Sequence, residues 1–154
     1  MRSTFADGIP TYVRTSATQN ARALDVDPGR AEVVRTGSLA TVVAVGPMLT
    51  RTIEAAHGLD VSIIYATTVA PFDAATLRSA VSDGSTVIVV EPYYEGTTAA
   101  AMSPALGDRC VRMVSMGVPR RFLHHYGAPE EHDAALALDA GGIAGRLRSI
   151  VDDG

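Results

Sequence analysis

From Ser85 to Glu91 the chain reads STVIVVE, an uninterrupted β-branched run with no polar alternation. A strand with one face in water alternates apolar and polar residues. This one does not, so both of its faces must be covered, as in a parallel sheet with helices above and below. That requirement constrains the fold more than any other stretch of the sequence.

The flanking segments supply the helices. LATVVAVG (Leu39–Gly46) reads as a strand, followed by PMLTRTIEAAHGL, where Leu49, Ile53, Ala56 and Leu59 fall on one helical stripe. Pro47 suits a first helical turn and Gly58 a helix end. VSIIYAT reads as a buried strand, and Asp73 is placed to cap a helix over AATLRSAVS by accepting from free backbone N–H groups. TTAAAMSPAL is the next expected helix, broken or ended at Pro104, and CVRMVSM the last strand. In the tail, Ile143, Leu147, Ile150 and Val151 repeat at helical spacing.

Before this alternation, AEVVR and LATVVAVG are separated only by Thr36-Gly37-Ser38, which predicts an antiparallel pair at a sheet edge. Ser16–Arg30 is polar and closes on an Asp-Pro-Gly turn signal, as an ordered linker crossing a surface would. The predicted fold class is α/β: a three-layer α/β/α domain with a mostly parallel five-stranded sheet, one edge strand antiparallel.

Composition excludes several functions. With 154 residues and 47% hydrophobic content, the chain is one domain with a packed core rather than a disordered segment. All 13 basic residues are Arg, and the net charge is −4, so no nucleic-acid partner is expected. The single Cys110 rules out an internal disulfide and fits a reducing compartment; its strand-like setting predicts a buried structural thiol. There is no signal-peptide pattern and no apolar run near the ~18 residues of a membrane span. A soluble cytoplasmic protein without a membrane partner is expected.

Self-contained chemistry is hard to find. Gly46 opens a helix after a strand, but Val45-Gly46-Pro47-Met48 holds one glycine where a dinucleotide fingerprint needs three, and Pro47 removes a donor. Without lysine there is no phosphate-binding G-x-x-x-x-G-K-[ST] loop, and no G-x-S-x-G elbow occurs. The cluster HHYGAPEEHD brings His124, His125 and His132 near Glu130, Glu131 and Asp133; no pair has H-E-x-x-H spacing. A loop feeding an acidic helix start accounts for the same residues, and His57 stands apart. Glu91, followed by Tyr93-Tyr94-Glu95-Gly96-Thr97-Thr98, sits where α/β sheets expose loops to ligands or partners. Tyrosine pairs are common at interfaces, and an interface is the favoured reading. No catalytic, cofactor-binding or metal-binding residue is assigned within the chain.

The order of these motifs resembles the C-terminal domain of the transketolase superfamily. Glu54-Ala55-Ala56, Pro71, Asp73, Val90-Glu91, Pro119 and Gly127 stand at the family's positions, and the resemblance spans about residues 9 to 151. The segment GVPRRFLHHYG is similar to deoxyxylulose-phosphate synthase and to small split transketolase subunits. The resemblance implies a third domain that supplies dimer interface. Thiamine diphosphate and Mg would be bound by partner domains, not by this chain. Candidate interface residues are Glu91, Tyr93, Tyr94, His124 and His125. Implied partners are an N-terminal transketolase subunit or domains and a second copy of this domain. The complete enzyme would transfer a two-carbon ketol or acyl unit. Alternatives are the β chain of a 2-oxoacid dehydrogenase, a non-catalytic α/β interaction module, and a nucleotide-binding regulator.

The resemblance also explains the start. PTYVRTSATQN, Pro10–Asn20, resembles the final strand of the pyrimidine-binding domain, so residues 1–30 are expected to be that strand plus a linker, and 31–154 the C-terminal domain. The chain would be either a natural split subunit or part of a longer enzyme. Transketolases carry Ser-Arg-Gln-Asn here and the deoxyxylulose relatives Arg-Tyr-Pro-Arg-Gly-Asn, with a phosphate-binding Arg. Counted from Pro10, Arg14 and Ser16 match as substrate-binding candidates, but Ala17 replaces the key Arg. Ala offers no donor where Arg would supply two charge-assisted bonds. Either Arg14 or Arg22 compensates, or the substrate is not a typical sugar phosphate.

Overall fold

The computed structural model describes residue 16, residues 18–124 and residues 126–152. Its strands are β1 (Ala31–Arg35), β2 (Thr41–Val45), β3 (Ser62–Ala66), β4 (Thr86–Tyr94) and β5 (Arg112–Val118). Its helices are α1 (Leu49–Ala55), α2 (Ala74–Ala80), α3 (Thr97–Leu106), α4 (Pro129–Ala135) and α5 (Ala140–Asp152). The sheet order is β1-β3-β2-β4-β5, with β1 antiparallel to β3 and every other pairing parallel.

The β-branched runs lie where their composition demands. All five residues of β2 are buried, with Val43 paired to Ile64 of β3 and Val89 of β4. Alternate residues feed opposite faces of the sheet. Val42, Ala44, Ile63, Ile88, Val90 and Met116 pack with Leu49 and Ala56 at α1 and Ile143 and Leu147 of α5. On the other face, Val43, Val45, Ile64, Val87 and Val89 pack against Leu77 of α2 and Met102 and Leu106 of α3. This is the three-layer arrangement required by two apolar sheet faces. Ile150 and Val151 extend the α5 stripe as half-buried residues.

Asp73 caps α2 as expected, its carboxylate accepting from the Thr76 amide at 3.2 Å and the Thr76 hydroxyl at 2.7 Å. It also accepts from the Ala31 amide at 3.1 Å, tying the first residue of β1 to the start of α2. Burial alone would push this carboxyl up. The Thr76 hydroxyl, the two amides and nearby Arg30 outweigh it and hold the group below its ordinary range. Pro47 lies in the 3-10 turn Gly46–Met48 that leads into α1, Gly58 takes φ +79°, and Gly29 takes φ +80° in the Asp-Pro-Gly turn.

Several expectations are corrected. β1 does not pair with β2 but with β3, on the far side. Gly37 lies so close to the Val61 backbone that a Cβ would collide with it. The Ser38 and Leu39 amides donate to the Asp60 carbonyl at 3.0 and 2.9 Å. The short Thr36–Ser38 link is therefore a glycine-permitted crossing at the entrance to β3, not a hairpin turn. Arg35 secures it, donating to the carbonyls of Ala56, Leu59 and Val61. On α1, Leu49 and Ala56 are buried, but Ile53 is exposed and Thr52 and Ala55 face inward instead. The 3-10 lead-in and the short helix change the phase of the stripe, while the Thr52 hydroxyl is satisfied by the Met48 carbonyl at 2.8 Å. Pro104 does not end α3, which runs on to Leu106: Pro104 faces solvent in the last turns, where few bonds depend on it. Cys110 is exposed, not buried, because it precedes β5 in the turn where its amide donates to Asp83.

Candidate functional site: the carboxyl edge of the sheet

The parallel strands end on a common edge, and a cleft of about 760 Å³ opens there. Its lining comes from four strand ends and the linker: Gly46 after β2, Thr67 after β3, Tyr93 and Tyr94 of β4, Val118 of β5, and Ser16. Sheet order reverses between β2 and β4, so the cleft sits at the topological switch point. Among the described residues, none that lines the cleft carries a formal charge.

Glu91 shapes one wall. It is fully buried, with Oε1 accepting from the Gly96 amide at 2.8 Å and Oε2 from the Thr98 amide at 2.7 Å. A carboxylate facing the free N–H groups and positive end of α3 is favourable on both counts. Gly96, at φ +87°, turns the chain tightly enough for both amides to reach it. The expectation of Glu91 as a contact residue is thus corrected: it lies beneath the surface and holds the turn that follows the tyrosines. The tyrosines belong to an extension of β4 rather than to a loop after it, with a register shift against β5 between Val90 and Tyr94. Gly117 of β5 permits that shift, since a Cβ there would stand 2.8 Å from the Tyr93 carbonyl oxygen and 3.0 Å from Glu91 Cγ.

Tyr93 and Tyr94 are 41% and 54% exposed, enough to meet a partner. The Arg120 guanidinium lies 5.5 Å over the Tyr94 ring, a cation–π contact that no local sequence pattern signals. Further along, Phe122 meets His124 edge-on at 5.2 Å, and His124, Phe122 and Tyr126 are all exposed. Ser16 and the tyrosines share the cleft, while His124 lies outside its lining. Arg14, Ala17 and His125 lie outside the described residues. Arg22 is exposed on the linker. Among the described residues, no three His, Cys, Asp or Glu side chains converge on a metal-sized site, and no helix is long and apolar enough to cross a membrane.

The linker is tied to the domain beside the cleft by Asn20 and Ala21, and further on by Leu24 and Gly29. Asn20 reaches Gly46, Thr50 and Tyr65 beside the cleft, and the Ala21 amide donates to the Thr50 hydroxyl at 2.8 Å. The sequence reading passed over Asn20, since nothing local distinguishes it from its polar neighbours.

A five-stranded sheet with this order, its one antiparallel edge and its switch-point cleft is compatible with many unrelated proteins. The sequence model described as "Transketolase, C-terminal domain" matches residues 29–143. The chain belongs to that family. It is 36% identical over 143 residues to an uncharacterized 33.6 kDa protein in the fasciation locus of Rhodococcoides fascians, covering 91% of this chain and 46% of that one. It is 31% identical over 133 residues to 1-deoxy-D-xylulose-5-phosphate synthase of Magnetococcus marinus, covering 80% of this chain and 21% of the synthase. Among solved structures, a split gene transketolase described as an inactive beta4 tetramer superposes with a TM-score of 0.69 at 20% identity. That match covers 84% of this chain and 44% of the other. This chain therefore spans less than half the length of each of these three relatives. The resemblance carried by Glu54-Ala55-Ala56, Asp73 and Val90-Glu91 is to the family found here.

Proposed function

We propose that this chain is the C-terminal subunit or domain of a thiamine-diphosphate-dependent, transketolase-like enzyme that transfers a two-carbon ketol or acyl unit. The carrying observation is family membership combined with a carboxyl-edge cleft in which no described lining residue is formally charged. A diphosphate and its divalent metal need cationic or acidic ligands. The residues described here do not fit that group, so the cofactor belongs to partner domains. When bound there, it supplies carbanion stabilisation.

Residues 1–30 act as the last strand of the adjoining pyrimidine-binding domain plus its linker, with Arg14 and Ser16 toward the substrate and Ala17 in place of the phosphate-binding Arg. Tyr93, Tyr94, His124 and His125 form the surface that meets the partner domain or a second copy of this chain. Exposed aromatic residues flanking an Arg fit the composition of an interface centre. The isolated chain is inactive, pairs as a homodimer and resides in the cytoplasm.

Calorimetry tests the assignment. The chain alone binds no thiamine diphosphate, whereas the chain mixed with a cofactor-binding transketolase polypeptide forms a complex that does so and turns over a ketose phosphate. Tight cofactor binding by the isolated chain overturns the reading.

A further inference from the structure

The side chain of Asn20 uses its whole hydrogen-bonding capacity on the domain it precedes. Nδ2 donates to the Gly46 carbonyl at 3.0 Å and to the Tyr65 hydroxyl at 3.2 Å. Oδ1 accepts from the Thr50 amide at 3.2 Å and lies 3.5 Å from the Thr50 hydroxyl. The orientation of the amide is dictated by its partners: a backbone carbonyl requires the nitrogen, and a backbone amide requires the oxygen. Asn20 thus joins the end of β2, the start of α1 and β3, three elements that meet only in the folded sheet.

Its setting makes the contact unusual. Thr18, Gln19, Ala21, Arg22 and Ala23 are all exposed, and Asn20 alone among them is half-buried. The next attachment of the linker to the core is Leu24. Such a segment gains almost nothing from apolar burial, so its position depends on polar ties, the Asn20 side chain and the adjoining Ala21 amide on the Thr50 hydroxyl. Four residues before it, Ser16 already lines the cleft.

We infer that Asn20 is a positioning residue, a latch that fixes the incoming chain to the rim of the cleft and so sets where Ser16 stands against it. The inference rests on the proposed reading of residues 1–30 as a strand that reaches substrate in an adjoining domain. Asp cannot replace Asn here, because it has no donor for the Gly46 carbonyl and places a negative charge beside that oxygen. The latch therefore distinguishes two nearly isosteric side chains.

Limited trypsin digestion of the full chain, read at the bond after Arg22, tests the latch. Loss of one to two net hydrogen bonds' worth of local stability should speed cleavage about tenfold in Asn20→Ala and Asn20→Asp. Tyr65→Phe, which removes one bond from the opposite side, should give a smaller change in the same direction. The melting temperature of the three variants stays near wild type, since the core is untouched. In the complex with a cofactor-binding chain, Asn20→Asp raises KM for a ketose phosphate about tenfold and leaves kcat within about twofold. Wild-type cleavage rates in Asn20→Ala, or an Asp variant indistinguishable from wild type in cleavage or KM, overturn the latch. Absence of any complex with the wild-type chain overturns the proposed function instead, and the cleavage rates still decide the latch.

Discussion

The Glu91 carboxylate accepts the Thr98 amide at 2.7 Å, so a fully buried acid serves as the cap of a helix that begins six residues later. The same carboxylate accepts from Gly96, and the two bonds close the turn between α3 and the end of β4, where Tyr93 and Tyr94 lie. Glu91→Gln keeps the shape but turns an N–H donor toward donors. It should destabilise the chain by about 1–3 kcal/mol in urea unfolding. It should also raise amide exchange at Gly96 and Thr98.

Gly117 is the partner in that geometry. In Gly117→Ala the new methyl would meet the Tyr93 carbonyl oxygen at 2.8 Å and Glu91 Cγ at 3.0 Å. Backbone cannot yield cheaply there, so a loss of about 1–3 kcal/mol is expected from overpacking. The backbone amide shifts of Tyr93–Glu95 should move by more than those of β2, which an NMR comparison of the two proteins would check.

Arg78 and Asp108 bind end-on, Nη1 and Nη2 donating to the two carboxylate oxygens at 2.5 and 2.8 Å across the α2–α3 junction. The Arg78 hydrogen bonds are the main cause that lowers the Asp108 carboxyl to about 2. A folded pKa below the unfolded value means that the pair's contribution is present above the ordinary aspartate range. It is lost as pH falls through about 2. Carbon-detected NMR titration should find that midpoint in the wild type. In Arg78→Ala the midpoint should return toward 3.8.

Tyr94 lies 54% exposed under the Arg120 guanidinium. If this face pairs domains, Tyr94→Asp removes an aromatic anchor and places a carboxylate at its centre. Sedimentation equilibrium should show self-association, or affinity for a cofactor-binding chain, weakened at least about tenfold. Unfolding stability should change little at so exposed a position.

Ala17 offers a test of substrate class. On the proposed reading of residues 1–30, Ala17→Arg supplies the guanidinium expected at this position, and in the assembled enzyme it should lower KM for phosphorylated sugars by about one order of magnitude. Unphosphorylated acceptors should be unaffected. Unchanged kinetics with both classes would remove Ala17 from the account of specificity.

What the sequence determined by itself was set by local chemistry. STVIVVE had to be covered on both faces, Asp73 stood immediately before a helix start whose Thr76 amide it could cap, and the Asp-Pro-Gly turn needed only Gly29 at φ +80°. Each of these is decided within a few residues, and each is found where local rules put it. Tertiary structure alone decided the rest. The neighbour of β1 followed from Gly37 crossing against Val61, a contact between residues 24 positions apart. Whether Glu91 faced solvent or the amides of α3 depended on the Gly96 turn and on the space that Gly117 leaves on another strand. Asn20 looked like one polar linker residue among many until folding brought Gly46, Thr50 and Tyr65 together around it. A hydrogen bond or a close approach needs both partners in place, and the second partner was far away in the chain.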